Sequence, residues 1–298
     1  MNRATPRHGL SLLEVLISIF VVSIGLMSLA MLIPAGAIAI NEANKSDRSG
    51  ACGRAAMRQI KVARMLDPNF WTDTDNLSNG PFVIDPLGRW MEMPETFAGG
   101  LLARLGLSNV PNFDVADRVF RWQDDLSLNL PKDTELRSWV NLDDNMDAIS
   151  EGHYSWFMTV TPSAAEADLP WLQKSTFAVS VVVCHGRIFN VDNEIVRSAQ
   201  FLGLGLGGGT VRLGAAPVSD NVEPKKIRTN QWIMLCDATQ CKWYRVVSAG
   251  AIPGSDTTLS LVGPDWHGTA DAQAVIIQDV VGVYSTTVEI ERNLVWSR

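Results

Sequence analysis

Histidine is scarce in this chain, with four residues in 298. So few imidazoles leave little raw material for general acid–base or nucleophilic chemistry, where histidine is the commonest carrier. Cysteine is equally rare, four in all, and no second paired-ligand motif accompanies Cys236 and Cys241, so a structural zinc site is not expected. Basic residues are outnumbered, 25 lysines and arginines against 32 acids, for a formal net charge of -7. That balance, and the lack of a basic stripe interleaved with aromatics outside the helix discussed below, disfavours a nucleic-acid surface. The most telling absence is charge itself: residues 15–40 are 26 consecutive positions without a charged side chain.

Such a run gives ~39 Å of helix at about 1.5 Å per residue, more than the roughly 30 Å of a bilayer core. It outlasts the apolar core of a secretory signal peptide, normally about 7–15 residues, so retention as a membrane segment is expected rather than cleavage behind it. Ahead of it stands a short leader with Arg3 and Arg7 and no acid, ending in Arg7-His8-Gly9, then Leu10-Ser11-Leu12-Leu13-Glu14. Glu14 is therefore a carboxylate at the edge of hydrocarbon. On insertion scales that costs at least about 2–3 kcal/mol and usually marks a partner or a function. The competing reading is a signal anchor whose acid snorkels to the interface.

The arrangement of Gly9, an apolar Leu10 and Glu14 as the fifth residue after the glycine resembles the class III signal of type IV prepilins and type II secretion pseudopilins. The strings Leu12-Leu13-Glu14-Val15-Leu16-Ile17-Ser18 and Ser23-Ile24-Gly25-Leu26-Met27-Ser28-Leu29-Ala30 are most similar to those of pilus-modification minor pilins, then to I-type minor pseudopilins. The likeness covers about residues 7–35. It departs from the family in having Leu rather than Phe at the first mature position and in placing Pro34 a few residues later than major pilins do. The resemblance implies that a membrane-embedded prepilin peptidase cuts after Gly9 and methylates the new amino group of Leu10. It further implies that Glu14 pairs with that amine, its own or a neighbour's, as subunits stack, since neither charge is tolerable alone in a dry filament core. Cations on the far side (Lys45, Arg48, Arg54, Arg58, Lys61, Arg64) leave the positive-inside rule undecided. Orientation is taken from the resemblance: leader in the cytoplasm, the rest periplasmic, then in a pilus or pseudopilus.

Beyond the span, Cys52, Ala55, Ala56, Ile60, Ala63 and Leu66 recur at three- and four-residue spacing among basic residues, which predicts one buried stripe on a helix. Pro68 predicts its end at Asp67, giving a single helix over 10–67, with Pro34 either loosening it on assembly or tolerated as a kink. Residues 69–150 are turn-rich; 97–107 reads as a short helix, 119–122 as a strand, 136–140 as either. After Gly152 the pattern turns to strands, with 154–161 and 176–184 expected to pair antiparallel, and further candidates at 196–206, 210–213, 231–235, 243–249, 257–262, 274–277 and 281–290. The expected fold is α+β: a long N-terminal helix packed on an antiparallel sheet, pilin-like, with an additional β-rich C-terminal region. Its divisions are a leader at 1–9, the transmembrane and assembly helix at 10–67, a head at 68–193 and a β-rich extension at 194–298.

Cys236 and Cys241 flank a turn-like Asp237-Ala238-Thr239-Gln240, and a disulfide closing the hairpin is feasible in an oxidising periplasm, though not required by the spacing. Cys52 and Cys184 read as small core residues, a helix-to-sheet disulfide being the alternative. The glycines at 203, 205, 207, 208 and 209 lack the Lys-Ser/Thr of a phosphate loop and read as a strand turn. His267, Asp265 and Ser260 have the residue types of a hydrolase without its nucleophile motif. Tryptophans such as Trp71, Trp90, Trp122, Trp156, Trp171 and Trp232 read mainly as core. The expectation is a non-enzymatic subunit without cofactor, whose partners are the prepilin peptidase, other pilin or pseudopilin subunits and the inner membrane. The alternative is an anchored extracytoplasmic adhesin or enzyme domain.

Overall fold

The computed structural model describes residues 12–72, 80–86, 96–98, 100–107, 140–142, 148–150, 154–166, 169–170, 173–187, 194–203, 205–214, 227–251, 257–268 and 271–290. Two compact units divide it, residues 1–47 and 48–298. Gly9 and Leu10, the strand expected at 119–122, residues 136–139, and Trp90, Trp122 and Trp171 lie outside the described residues.

One helix, α1 (Leu12–Val62), contains the whole described apolar run and continues through Pro34. Its serines do not interrupt it, because Ser18, Ser23 and Ser28 each donate their hydroxyl to the carbonyl four residues back, at 2.7, 2.8 and 3.0 Å. The helix ends five residues before the expected Asp67, and the physical reason is a cap. Arg64 takes a left-handed φ of 50°, Met65 N donates to Ile60 O and Arg64 N to Lys61 O. This is the Schellman closure, usually marked by glycine, and its apolar contact is present because Ile60 and Met65 share one core cluster. Pro68 instead opens a short 3-10 turn, Pro68–Phe70.

In the second unit the strands are β1 (Trp71–Thr72), β2 (Phe82–Ile84), β3 (Thr96–Phe97), β4 (Leu102–Leu107), β5 (Val140–Leu142), β6 (Ala148–Ser150), β7 (Tyr154–Pro162) and β8 (Thr176–His185). There follow β9 (Ile195–Phe201), β10 (Gly208–Leu213), β11 (Trp232–Cys236), β12 (Cys241–Ala251), β13 (Thr257–Val262), β14 (Asp271–Ile276) and β15 (Val280–Glu289). A seven-stranded sheet runs β1-β4-β2-β7-β8-β15, with β3 paired to β4. All its pairings are antiparallel except β2 with β4. The expected hairpin partners β7 and β8 do pair, with Met158 opposite Val181. The helix expected over 97–107 is instead a turn between β3 and β4. Ala98 and Gly100 have φ of 55° and 94°, which no helix accommodates, and the following residues extend to pair with β2.

Six strands close into a barrel, in the order β10-β13-β12-β11-β14-β9. The sequence pattern shows these strands only as a β-rich extension, whereas their closure into a barrel makes them an insertion between β8 and β15. The β-rich region does not run on as an extension to the C-terminus, because β15 leaves the barrel and pairs with β8, Ser285 opposite Ser180. The barrel is filled by Val211, Leu213, Ile233, Leu235, Tyr244, Val246, Leu259 and Ala274, all buried.

Every residue of β7 is buried, which follows from its covering on both faces. Trp156, Met158 and Val160 join Cys52, Ala56 and Ile60 of α1 in one cluster. Phe157 joins Met234, Cys236, Trp243 and Val275 of the barrel in another. Where α1 crosses β15, small residues make room for an aromatic ring. A Cβ on Gly53 would lie 2.3 Å from Tyr284 Cδ2 and 2.8 Å from its Cγ, while Ser49 Oγ and Tyr284 OH are hydrogen bonded at 3.1 Å. Alanine would gain about 1 kcal/mol of helix propensity, but overpacking against an anchored ring costs typically 1–3 kcal/mol. Gly53→Ala is therefore expected to lower the urea midpoint; an unchanged or raised midpoint would show that Tyr284 moves aside freely.

Candidate functional site

The first feature of functional weight is α1 itself. From Leu12 to Arg48 every residue is exposed, including Leu16, Phe20, Ile24, Leu32 and Ile40. By length and composition it is the one described helix able to cross a membrane, either as an anchor or as a signal sequence. Glu14 lies in its first turn, and its backbone carbonyl receives the Ser18 hydroxyl. A carboxylate there also complements the positive end of the helix dipole.

A second feature, absent from the sequence reading, is a buried charge cluster within the second unit. Asp85 follows β2, Arg104 sits in β4, Arg187 follows β8 and Glu194 precedes β9. Asp85 Oδ2 accepts from Arg104 Nη1 at 2.5 Å and Arg187 Nη2 at 2.6 Å, and Asp85 Oδ1 accepts from Arg187 Nη1 at 3.0 Å. Glu194 accepts from Arg104 Nη2 at 2.9 Å and from the Ala98 amide at 2.7 Å. The four charges sum to zero, and each guanidinium also lies over a ring, Arg104 on Phe97 at 5.0 Å and Arg187 on Phe157 at 4.7 Å. Burial works against the charged form of Arg187, but the Asp85 carboxylate outweighs it and holds that guanidinium above its usual value. With its carboxylates turned to arginines, the cluster ties the sheet to the first barrel strand. An Arg within a six-residue strand, Leu102–Leu107, was the available signal, and the helix reading of 97–107 concealed it.

The cysteines fall in two sets. Burial pushes the thiols of Cys52 and Cys184 up to about 12. Cys236 and Cys241 face each other in register across the β11–β12 hairpin, as free thiols. Its turn is held by Asp237 Oδ1, which accepts from the Thr239 and Gln240 amides at 2.8 and 2.9 Å. A hydrogen bond from Cys236 favours the Cys241 thiolate against burial, whereas burial raises Cys236. A thiol near 12 is only roughly one part in ten thousand thiolate at pH 8, and the thiolate is the nucleophile. Iodoacetamide at pH 8 is thus expected to leave Cys52 and Cys184 unmodified in the folded chain and to label them after denaturation, as read by peptide mass spectrometry.

Other sequence candidates resolve into structural roles. The glycine run spans the turn between β9 and β10 and the start of β10, and Gly205, Gly207, Gly208 and Gly209 all have positive φ. A Cβ on Gly208 would meet Leu261 O at 2.5 Å, and the Gly207 amide donates to Asp265 Oδ1 at 2.7 Å. Asp265 thus serves this turn. Trp71 and Trp156 are buried, and Trp232 is half-buried. Among the described residues no three His, Cys, Asp or Glu side chains gather as a metal site.

A cleft of about 850 Å³ runs along the outer face of the barrel, lined by Ser198, Gln200, Arg212, Asp271 and Gln273, with Leu101 of the β3–β4 turn. Arg212, Gln200 and Asp271 are aligned across three strands, with Gln200 Nε2 donating to Asp271 Oδ1 at 3.4 Å. No family model, curated protein or solved structure matches the chain.

Proposed function

We propose that this chain is a minor type IV pilin or pseudopilin, cut after Gly9, N-methylated on Leu10 and assembled through its apolar helix into a pilus or secretion pseudopilus. The observation that carries the reading is the order and spacing of Gly9, Leu10 and Glu14 at the head of an uninterrupted apolar helix. The packing of Cys52, Ala56 and Ile60 against sheet residues such as Trp156 and Val181 supports it, being the helix-on-sheet arrangement that a pilin head requires. In this role the protein performs no catalysis. The prepilin peptidase processes it, the inner membrane stores it, and other pilin or pseudopilin subunits receive it.

Glu14 would then set axial register. In a helix bundle with little water, a subunit in register places the Glu14 carboxylate against a methylated Leu10 amine, and a subunit out of register strands both charges. A large head with an inserted barrel suits a subunit present in few copies. The test is fractionation: the chain is expected among sheared surface filaments or crosslinked to pseudopilus subunits. A chain found solely in membranes of assembling cells would overturn the reading.

A second reading, a binding domain on a pilin-like anchor, is favoured by the barrel cleft. It would be supported by a purified protein that retained a ligand in that cleft and by loss of retention on Arg212→Ala.

A further inference from the structure

Cys236 ends β11 and Cys241 opens β12, and the two stand opposite each other in the pairing register. The next pair toward the turn, Asp237 and Gln240, is joined by the Asp237 amide donating to Gln240 O at 2.9 Å. Bonded and non-bonded pairs alternate along an antiparallel ladder, so the cysteines are a non-bonded pair. That type brings Cα atoms to about 4.5 Å and side chains closest together. The separation falls inside the range of about 4.4–6.8 Å usual for disulfides. In agreement, the Cys241 amide donates to Thr161 Oγ1 of β7 at 3.3 Å and the Cys241 carbonyl accepts from it at 3.2 Å, both turned away from β11. The two thiols are also hydrogen bonded to each other. Cys52 and Cys184 lack such a geometry. Cys52 packs in the cluster on the helix side of the sheet and Cys184 in the cluster on its barrel side, so the sheet separates them.

We propose that Cys236 and Cys241 are joined by a disulfide in the exported protein, installed by exchange with an extracytoplasmic dithiol–disulfide oxidant before the barrel settles on β7. This rests on the periplasmic placement in the reading above. One cysteine thiolate attacks a sulfur of the oxidant's disulfide and releases a thiolate; the second attacks the resulting mixed disulfide and releases the other. Two protons and two electrons leave the hairpin thiols, and the oxidant's disulfide becomes a dithiol. The order of events follows from burial and from the turn. In the folded chain Cys236 and Cys241 are 0 and 6 % exposed, packed in one cluster with Phe157 of β7, so an oxidant reaches them only earlier. They meet that early because the turn is held locally: Asp237 Oδ1 accepts from the Thr239 and Gln240 amides without help from any strand outside the hairpin.

The experiment is peptide mass spectrometry of the chain isolated from native membranes, denatured in N-ethylmaleimide without reductant and cut with trypsin. One peptide, residues 229–242, holds both cysteines. It is expected unalkylated and two hydrogens lighter than its reduced form, and to take up two maleimides after dithiothreitol, while Cys52 and Cys184 are alkylated from the start. Alkylation of both hairpin cysteines without reductant, or a bond from either of them to Cys184, would overturn the proposal. Timing has its own readout. The bond in the folded chain should yield to dithiothreitol at least about tenfold more slowly in native buffer than in urea, and equal rates would overturn early installation. An intact Met1 leader on a chain that carries the bond would sink the pilin reading and leave the disulfide standing. A chain cut after Gly9 with both thiols free would do the converse.

Discussion

A Glu14→Ala chain is expected to be cut after Gly9 as the wild type is, to remain in the membrane, and to be missing from filaments. On the proposed reading, cleavage needs the leader and glycine presented at the membrane face, whereas assembly needs the carboxylate. Removing one member of a buried charge pair leaves the other uncompensated at a cost of about 3–5 kcal/mol, which corresponds to a loss of incorporation on the order of 10²–10⁴-fold. Glu14→Gln keeps the volume and removes the charge, so it should fail as the alanine variant does. If glutamine restores incorporation in a sheared-filament assay, packing rather than charge governs register. Normal entry of both variants would refute the pairing argument altogether.

Asp85→Ala is expected to be the most destabilising single change in the second unit. It removes the acceptor of three hydrogen bonds and leaves Arg104 and Arg187, 1 and 4 % exposed, repelling each other in the interior. Breaking a buried pair in this way costs about 3–5 kcal/mol, a large fraction of the about 5–15 kcal/mol by which domains are stable. Replacing Asp85, Arg104, Arg187 and Glu194 together with apolar residues of similar volume should recover much of that loss. The measurement is urea unfolding followed by tryptophan fluorescence, which Trp156 and Trp243, on opposite faces of the sheet, make sensitive to both core clusters. A midpoint within error of wild type for Asp85→Ala would mean that water reaches the arginines.

The apolar helix was legible because 26 uncharged positions admit little else. Strands β7 and β8 were legible as runs rather than alternations, and burial on both faces of β7 accounts for the run. Proline at 68 marks a helix end in the sequence, but the actual stop is an arginine in a left-handed conformation, Arg64, that carries no sequence mark. Residues 97–107 were misread because Leu102-Ala103-Arg104-Leu105 suits a helix locally, and only pairing with β2 and the salt bridges to Asp85 and Glu194 make it a strand. Barrel closure depends on which strands meet, β9 with β14 and β10 with β13, and nonlocal pairing leaves little trace in periodicity. The charge cluster joins residues up to 109 positions apart for the same reason, with Asp85 at one end and Glu194 at the other. Glu14, by contrast, was conspicuous because its chemistry contradicts its surroundings.

Processing as a prepilin is tested most directly by the mass of the mature N-terminus isolated from native membranes. The expected result is a chain beginning at N-methylated Leu10, nine residues shorter than the sequence. An intact Met1, or an N-terminus beyond residue 40, would contradict it.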